Sequence, residues 1–515
     1  MDSKSLYIVS GSKVQLPRCF TGLLPRPMSI AHKRKCSRRR TAHTRAITTS
    51  RSEPDTKLRE PDGSFGPPLL GESMEWLKDI SVFFAERHEK HGMVFKSHVF
   101  GNKTVVISDP LQICRILQAE DKLAETAMPA GFTSLLPNSI LSVTKDEHRQ
   151  ARRMLTLAYA ESSMRLYHPL VLEVVSSILS EAANTKEAVK GYKLCRTLAF
   201  DVAATVLLGV RWDPETQAKL RDEFTIFVQG AFSMLPYEFP GSRFKRAKEA
   251  QRHINGVVSG VIEDARQSIG EGSPAAHPGT KKRQRSVLQA MLEARDDDGN
   301  PLSEKVLQDQ VIAQLFAGHE TTAAIMTRLL QRVKANPDVL ACMKQEQASL
   351  IAQHGPELTD SVVTQMPYID AVIKECLRLH DPATVVFRRA LQDIPVGDNI
   401  VIPKGWSIQL HLEQAQKNVM AFKDDASQFR PGRFLNDNKE LKRKEPEGYA
   451  PWGAGARKCM GISLATAEMR IFLALLARDY DWECNAHEKW ISSDNVRPQN
   501  WLMTTFSKHD SGAAV

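Results

Sequence analysis

From about residue 109 to residue 380, apolar residues return every three or four positions with few breaks. That is the spacing of helices that bury one face. No alternation of strand and helix interrupts it, so the framework is not a βαβ series. Breaks fall near Pro137, between Pro236 and Pro240, and over 267–285, where glycine, serine, proline and a Lys281-Lys282-Arg283 run read as a mobile surface loop. Strand-like character is confined to the flanks. Runs at 93–99 and 103–108 are separated by Gly101-Asn102, a hairpin signal. Residues 383–412 turn β-branched around Pro395, Gly397 and Pro403-Lys404-Gly405, and 413–460 read as irregular. A last apolar helix is expected near 461–479, with short strands over 480–507. The expectation is a mainly α chain with a minor β part, a single large helical domain over 73–508 without internal repeats. It follows a Pro/Gly-rich lead-in at 53–72 and ends in a tail at 509–515.

The net charge of +9 suggests nucleic acid until it is located. Residues 1–52 hold twelve Lys/Arg against one acid, Asp2, and the rest of the chain carries 57 basic and 59 acidic residues. The basic character belongs to the leader, so no nucleic-acid partner is expected. The leader is rich in Ser, Thr and Arg and broken by Pro17, Pro25 and Pro27, the composition of an organelle transit peptide. A plastid is the first expectation and a mitochondrion the second. No sustained apolar stretch of about 18 residues reads as a transmembrane helix. The eight cysteines are scattered without a Cys-x-x-Cys pair, which argues against a disulfide framework or zinc site and for a reducing compartment.

One cysteine has different surroundings. Cys459 shares a short segment with Trp452, Gly453, Gly455, Arg457 and Gly461, just before the last apolar helix. Glycines permit tight, positive-φ backbone close to a flat ligand. Helix N–H groups near the sulfur, with Arg457 two residues away, favour thiolate over thiol. A thiolate in such a pocket can be an axial ligand of haem iron. A lone buried cysteine is more often a small packed hydrophobe, and three glycines and an arginine at these offsets argue otherwise.

Other segments add to this. Glu375 and Arg378 lie three apart on one helix face, and the segment Phe429-Arg430-Pro431-Gly432-Arg433-Phe434 brings a second arginine between aromatics. In an apolar helix beginning near Val306, residues 317–322 read Ala-Gly-His-Glu-Thr-Thr. An acid and an alcohol are costly there without a use, although threonine hydroxyls can bond back to helix carbonyls.

In this order and separation the motifs resemble the cytochrome P450 superfamily over about residues 62–508. Residues 65–72 and 95–107 look most like the branch containing retinoic-acid, sterol and plant-hormone hydroxylases. Departures are Trp452 for the usual Phe, His148 where Trp is common, Asp381 before Pro382 where a second proline is common, and Gln416-Lys417-Asn418-Val419 in place of His-Arg-Asp-Pro. The resemblance implies haem b with Cys459 as its iron ligand. It implies Glu320 and Thr321 in proton delivery to bound oxygen, and a buried triad of Glu375, Arg378 and Arg433 holding the cysteine loop. His148, Arg152, Gly318, Arg388, Trp452, Gly453, Arg457 and Gly461 are expected around the haem, with His148, Arg152 and Arg388 as cationic partners of its propionates. His319 is expected to point away and to be structural. Phe132, Leu135, Leu136, Ala313, Ala317, Val385 and Val386 are the expected substrate wall.

The implied activity is monooxygenation with O2, hydroxylating or epoxidising an apolar small molecule. A terpenoid (sterol, carotenoid or retinoid) is the first substrate class and a fatty acid the second. No Gly-x-Gly-x-x-Gly follows an expected strand, so electrons from NADPH should arrive through a separate ferredoxin or reductase. Arg149, Arg153, Lys458 and the Lys442-Arg443-Lys444 run are candidate docking cations. An isomerase or dehydratase working without O2, or a non-catalytic haem sensor, would have little use for the Glu320-Thr321 pair. Residues 231–237 are a candidate peripheral membrane contact, and the chain is expected to be a monomer.

Overall fold

Helix-start chemistry decides where the long apolar stretch is cut. In the computed structural model the helices include α1 (Lys145–Thr156), α2 (Gly191–Ala203), α3 (Pro214–Ala231), α4 (Arg243–Gly270), α5 (Glu304–Lys334), α6 (Pro367–Leu379) and α7 (Ile462–Asp479), among others such as Glu161–Asn184 and Pro337–His354. The Asp213 side chain accepts from the N–H groups of Glu215 and Thr216, and Pro214 occupies the first turn of α3, where a missing N–H costs nothing. The Ser303 hydroxyl accepts from Val306 N–H, so α5 starts two residues before the expected Val306. The structure describes residues 58–68, 71–233, 236–270, 286–295, 298–417, 422, 425–492 and 496–509. The expected leader at 1–52 and loop residues 271–285 lie outside these, and α4 continues through 267–270. All described residues fall in the unit Thr56–Val515.

α5 runs through the helical core, packed along α2 and touching α6 and α7. Its buried face includes Ile312, Ala313, Leu329, Leu330 and Val333. α7 is nearly as deep, with Ile471, Phe472, Leu473 and Leu476 fully buried. Each such side chain contributes roughly 1.5–3 kcal/mol, so α7 is a rigid anchor for the cysteine segment that precedes it.

The largest sheet of the minor β part has five strands, β1 (Val94–Val99), β2 (Asn102–Ile107), β3 (Ala124–Thr126), β4 (Val385–Ala390) and β5 (Ser407–His411), in the order β1-β2-β5-β4-β3, beside three smaller sheets of two or three strands. β2 and β5 are parallel and the other pairs antiparallel. The hairpin turn falls one residue earlier than Gly101-Asn102: Val99 pairs with Asn102, and Phe100 and Gly101 form the turn at φ 54 and 74. Positive φ at both central positions suits the twist of a hairpin. The Asn102 amide bonds the Phe100 carbonyl at 2.8 Å, and the Phe100 ring packs on Trp76 at 5.0 Å, so tertiary contacts fix a conformation that phenylalanine disfavours. At the other edge Thr126 pairs with Arg388, which places Arg388 beside the residues just before β3. Among the described residues no helix is long and apolar enough to cross a membrane.

Candidate active site

A cavity of about 540 Å³ opens between α5 and the segment around Cys459, well inside the range of small-molecule sites. Ala313, Ala317, Gly318, Glu320 and Thr321 of α5 line it, as do Trp452, Gly453, Arg457, Cys459 and Gly461. The expected oxygen-chemistry and cysteine segments therefore meet across one space.

The cysteine segment is folded back on itself, with Cys459 N–H donating to the Trp452 carbonyl at 2.9 Å. Gly453 and Gly455 have φ of 69 and 67. A Cβ on Gly455 would lie 2.1 Å from the Leu117 carbonyl oxygen, so no other residue fits there. Gly461 differs from expectation. Its φ is −81, it caps α7, and the space beside it is open. Cys459 lies deep in the protein yet its side chain opens onto the cavity. Burial pushes its thiol up, against the Gly461 N–H and the charges of Arg152 and Lys458. The expected preference for thiolate is thus outweighed by desolvation in the protein alone, and Arg457 is not among the charges that act on the sulfur. Coordination to a metal deprotonates a thiol outright.

Glu375, Arg378 and Arg433 meet in one cluster. Arg378 makes a two-pronged pair with Glu375, Nε to Oε2 at 2.7 Å and Nη2 to Oε1 at 2.9 Å, and both side chains are wholly buried. Arg433 Nε reaches Oε1 at 2.9 Å and the Arg430 N–H joins at 2.8 Å. The triad has an unforeseen fourth member, Asp425, whose Oδ1 accepts from Arg433 Nη1 at 3.1 Å. Gln416, noted only as a departure, is buried and ties the cluster to the loop: its carbonyl accepts from Arg378 and its side chain from Ala450 N–H.

The cationic side is more heavily committed than the sequence suggests. Arg457 donates from Nε to Glu120 at 2.6 Å, from Nη1 to Ile140 O at 3.1 Å and from Nη2 to Val143 O at 2.6 Å. Arg388 Nε meets the other Glu120 oxygen at 2.7 Å. Arg152 Nη2 donates to the Lys458 carbonyl at 2.8 Å. His148 lines the cavity, but burial, then the charges of Arg457 and Arg152, lower its pKa to about 4. In the protein alone it is therefore neutral at pH 7 and a hydrogen-bonding group.

On α5 the acid and the alcohol are both occupied. Thr321 Oγ1 donates back to the Ala317 carbonyl at 2.6 Å. Glu320 Oε1 accepts from Arg196 Nη2 at 2.6 Å and Oε2 from Tyr192 Oη at 3.1 Å. Burial disfavours this carboxylate, but His319, Arg196 and Tyr192 overcome it and hold its pKa at about 2. His319 is fully buried against the edges of Phe200 and Phe224, off the cavity wall, in keeping with a structural role. A Cβ at Gly318 would meet only Ala203 at 3.8 Å, so this glycine's open side faces α2.

Of the expected substrate wall, Ala313, Ala317, Val385 and Val386 line the cavity. Phe132, Leu135 and Leu136 sit one layer behind, fully buried in the main core. The Phe132 ring packs at 5.5 Å on Phe316 and 6.2 Å on Phe232, which form the wall in its place. Tyr192, Arg196, Glu120, Tyr159 and Gln314 were missed. Tyr192 and Arg196 stand one turn apart on the apolar helix α2, and a charge on such a face was a readable signal. Tyr159 and Gln314, bonded at 2.7 Å on the cavity wall, carried none.

These residues fit a haem. One wall offers the Cys459 sulfur, and two residues lining the same cavity keep a polar group unspent: among the described residues the buried His148 Nδ1 has no partner, and neither has Arg388 Nη2. A family model described as Cytochrome P450 matches residues 61–505. Cytochrome P450 26B1 of Xenopus tropicalis is 31% identical over 427 residues, covering 82% of this chain and 80% of that one. Beta-amyrin 11-oxidase of Glycyrrhiza uralensis is 28% identical over 446 residues, with 83% and 87% covered. The solved structure of retinoic acid bound cyanobacterial CYP120A1 superposes with a TM-score of 0.77 at 28% identity, covering 88% of this chain and 100% of that chain. The expected fold class and the resemblance to the retinoid and sterol branch both hold. A family match spanning nearly all of the described residues, with the same fold over the same length, makes the chain a member of the cytochrome P450 family and so a haem-dependent oxidoreductase of the monooxygenase type.

Proposed function

We propose that this P450 inserts one oxygen atom from O2 into an apolar terpenoid of the sterol, carotenoid or retinoid kind, with a fatty acid as the second class. The observation that carries the reading is the cavity itself, where apolar side chains of α5 and β4, with Phe232 and Phe316, face the sulfur of Cys459. Two relatives, one bound to retinoic acid and one named for oxidising beta-amyrin, support a terpenoid. Haem b, when bound, would be held by Cys459 and would supply oxygen activation. The chain's own residues do the rest. Glu375 and its arginines fix the loop that carries Cys459. The Thr321 hydroxyl, released from Ala317, gives the cavity a proton donor. Glu320, anionic at rest, takes a proton only in passing and hands it on.

Electrons from NADPH arrive through a ferredoxin or a reductase. Exposed Lys458, next to the iron ligand, and exposed Lys442, Arg443 and Lys444 suit an acidic donor; Arg149 is paired with Asp146. Exposed Tyr237 and Phe239 support a peripheral membrane contact for the chain that follows α3. The leader's composition supports a plastid, with a mitochondrion second. The test is optical titration of the haem-loaded protein with a terpenoid and fatty-acid panel, followed by turnover with a ferredoxin system. Terpenoids should shift the Soret band at micromolar levels and yield oxygenated product. Shifts only with fatty acids would move the substrate to the second class, and product formed without O2 consumption would contradict monooxygenation.

A further inference from the structure

One buried carboxylate joins the two arginines of the haem side. Glu120 stands just before β3, on no motif, with its side chain 2% exposed. Its Oε2 takes Arg388 Nε at 2.7 Å, and its Oε1 takes Arg457 Nε at 2.6 Å and the Thr126 N–H at 3.1 Å. Thr126 pairs with Arg388 across the sheet, so the acid is held by the strand neighbouring the arginine it binds. Both guanidinium groups are gripped at Nε, which fixes the direction of their Nη atoms. Arg457 then reaches the Ile140 and Val143 carbonyls. Arg388, which lines the cavity, spends Nη1 on the Phe387 carbonyl and leaves Nη2 without a partner among the described residues. A buried carboxylate costs several kcal/mol to desolvate unless it is fully paired, and this one is placed where it cancels one of two cations.

We propose that Glu120 is the positioning residue of the haem's carboxylate edge: it aims Arg388 Nη2 at a propionate and halves the charge that the two arginines present there. This rests on the haem reading above. The anion of Glu120 beside the haem favours the oxidised, more positive iron, so it holds the reduction potential down. The step it influences is a one-electron reduction by the external donor, and Glu120 itself forms no bond with the haem.

The test is the midpoint potential of haem-loaded wild-type and Glu120→Gln protein, with the reduced carbon monoxide spectrum as a control. Glu120→Gln should move the ferric–ferrous equilibrium about tenfold towards ferrous, ~59 mV for a one-electron couple, with the thiolate-type spectrum kept. A residue that only held the fold together would lower stability and leave the potential where it was, and a shift under threefold overturns the proposal. Arg388→Lys keeps both charges but cannot be gripped at Nε, so it serves if Glu120→Gln fails to fold. It should release haem to apomyoglobin at least tenfold faster, and wild-type retention overturns the positioning role. A wild-type protein without the thiolate-type spectrum would instead remove the haem reading beneath both.

Discussion

Replacing Arg196 by glutamine should unlock Glu320, and the size of the effect can be worked out beforehand. Arg196 Nη2 lies 2.6 Å from Glu320 Oε1 and 2.7 Å from Thr225 Oγ1 of α3. Burial raises the Glu320 pKa; His319, then Arg196 and the Tyr192 hydroxyl bring it from an ordinary 4.5 to about 2. The guanidinium is cationic throughout the accessible pH range, so Arg196 stays paired with Glu320. The whole shift from 4.5 to about 2 corresponds to about 3 kcal/mol of folded-state stabilisation, shared among His319, Arg196 and Tyr192. Breaking a buried ion pair from one side costs about 3–5 kcal/mol because the other charge is left unpaired, and that penalty sets the size of the effect. A depressed carboxyl pKa gives stability that is complete above 4.5 and is lost as pH falls towards 2. Arg196→Gln should therefore unfold in urea with about 3 kcal/mol less stability at pH 7, a gap that narrows below pH 4.5. A gap under about 1 kcal/mol at pH 7, or one constant from pH 7 to pH 3, would refute the lock.

Glu375→Gln leaves the buried Arg378 guanidinium without a carboxylate and Arg433 with Asp425 alone, a loss of about 3–5 kcal/mol, and thermal unfolding with haem quantification should show protein that loads little haem. Gly455→Ala needs φ of +67 and puts a methyl 2.1 Å from the Leu117 carbonyl, so it should lose haem and stability, while Gly461→Ala, at φ −81 in open space, should load normally. Glu468 has an unpartnered Oε1 and burial pushes its pKa to about 8. The unfolded chain sheds this proton first, so stability falls as pH rises from about 4.5 towards 8. Glu468→Gln should then gain about 1–3 kcal/mol at pH 7 and nothing near pH 4, measured by urea unfolding.

The helices were legible because their signals are local. Apolar spacing, Asp213 before Pro214 and Ser303 before α5 act within one or two turns. Cys459, Glu375, Arg378 and Arg433 could be named because their spacing matches a known family, although nothing in the spacing shows Asp425 closing the cluster. Pairings between distant segments stayed hidden. Glu120 meets Arg457 across 337 positions and Arg196 meets Glu320 across 124, and no periodicity encodes either. Phe132, Leu135 and Leu136 were placed one layer too far forward because apolar character does not separate a cavity wall from the core behind it. The hairpin slipped by one because Phe100 takes a turn conformation that Trp76 and Asn102 stabilise from outside the local pattern.

The central claim is that Cys459 presents a thiolate to haem iron in the cavity under α5. The most direct measurement is the absorption spectrum of the dithionite-reduced protein under carbon monoxide, for wild type and Cys459→Ala. The account predicts a Soret band strongly red-shifted from that of histidine-ligated haem in the wild type, and its loss in the variant. An unshifted band in folded, haem-loaded wild-type protein, or a shifted band that survives Cys459→Ala, would contradict it.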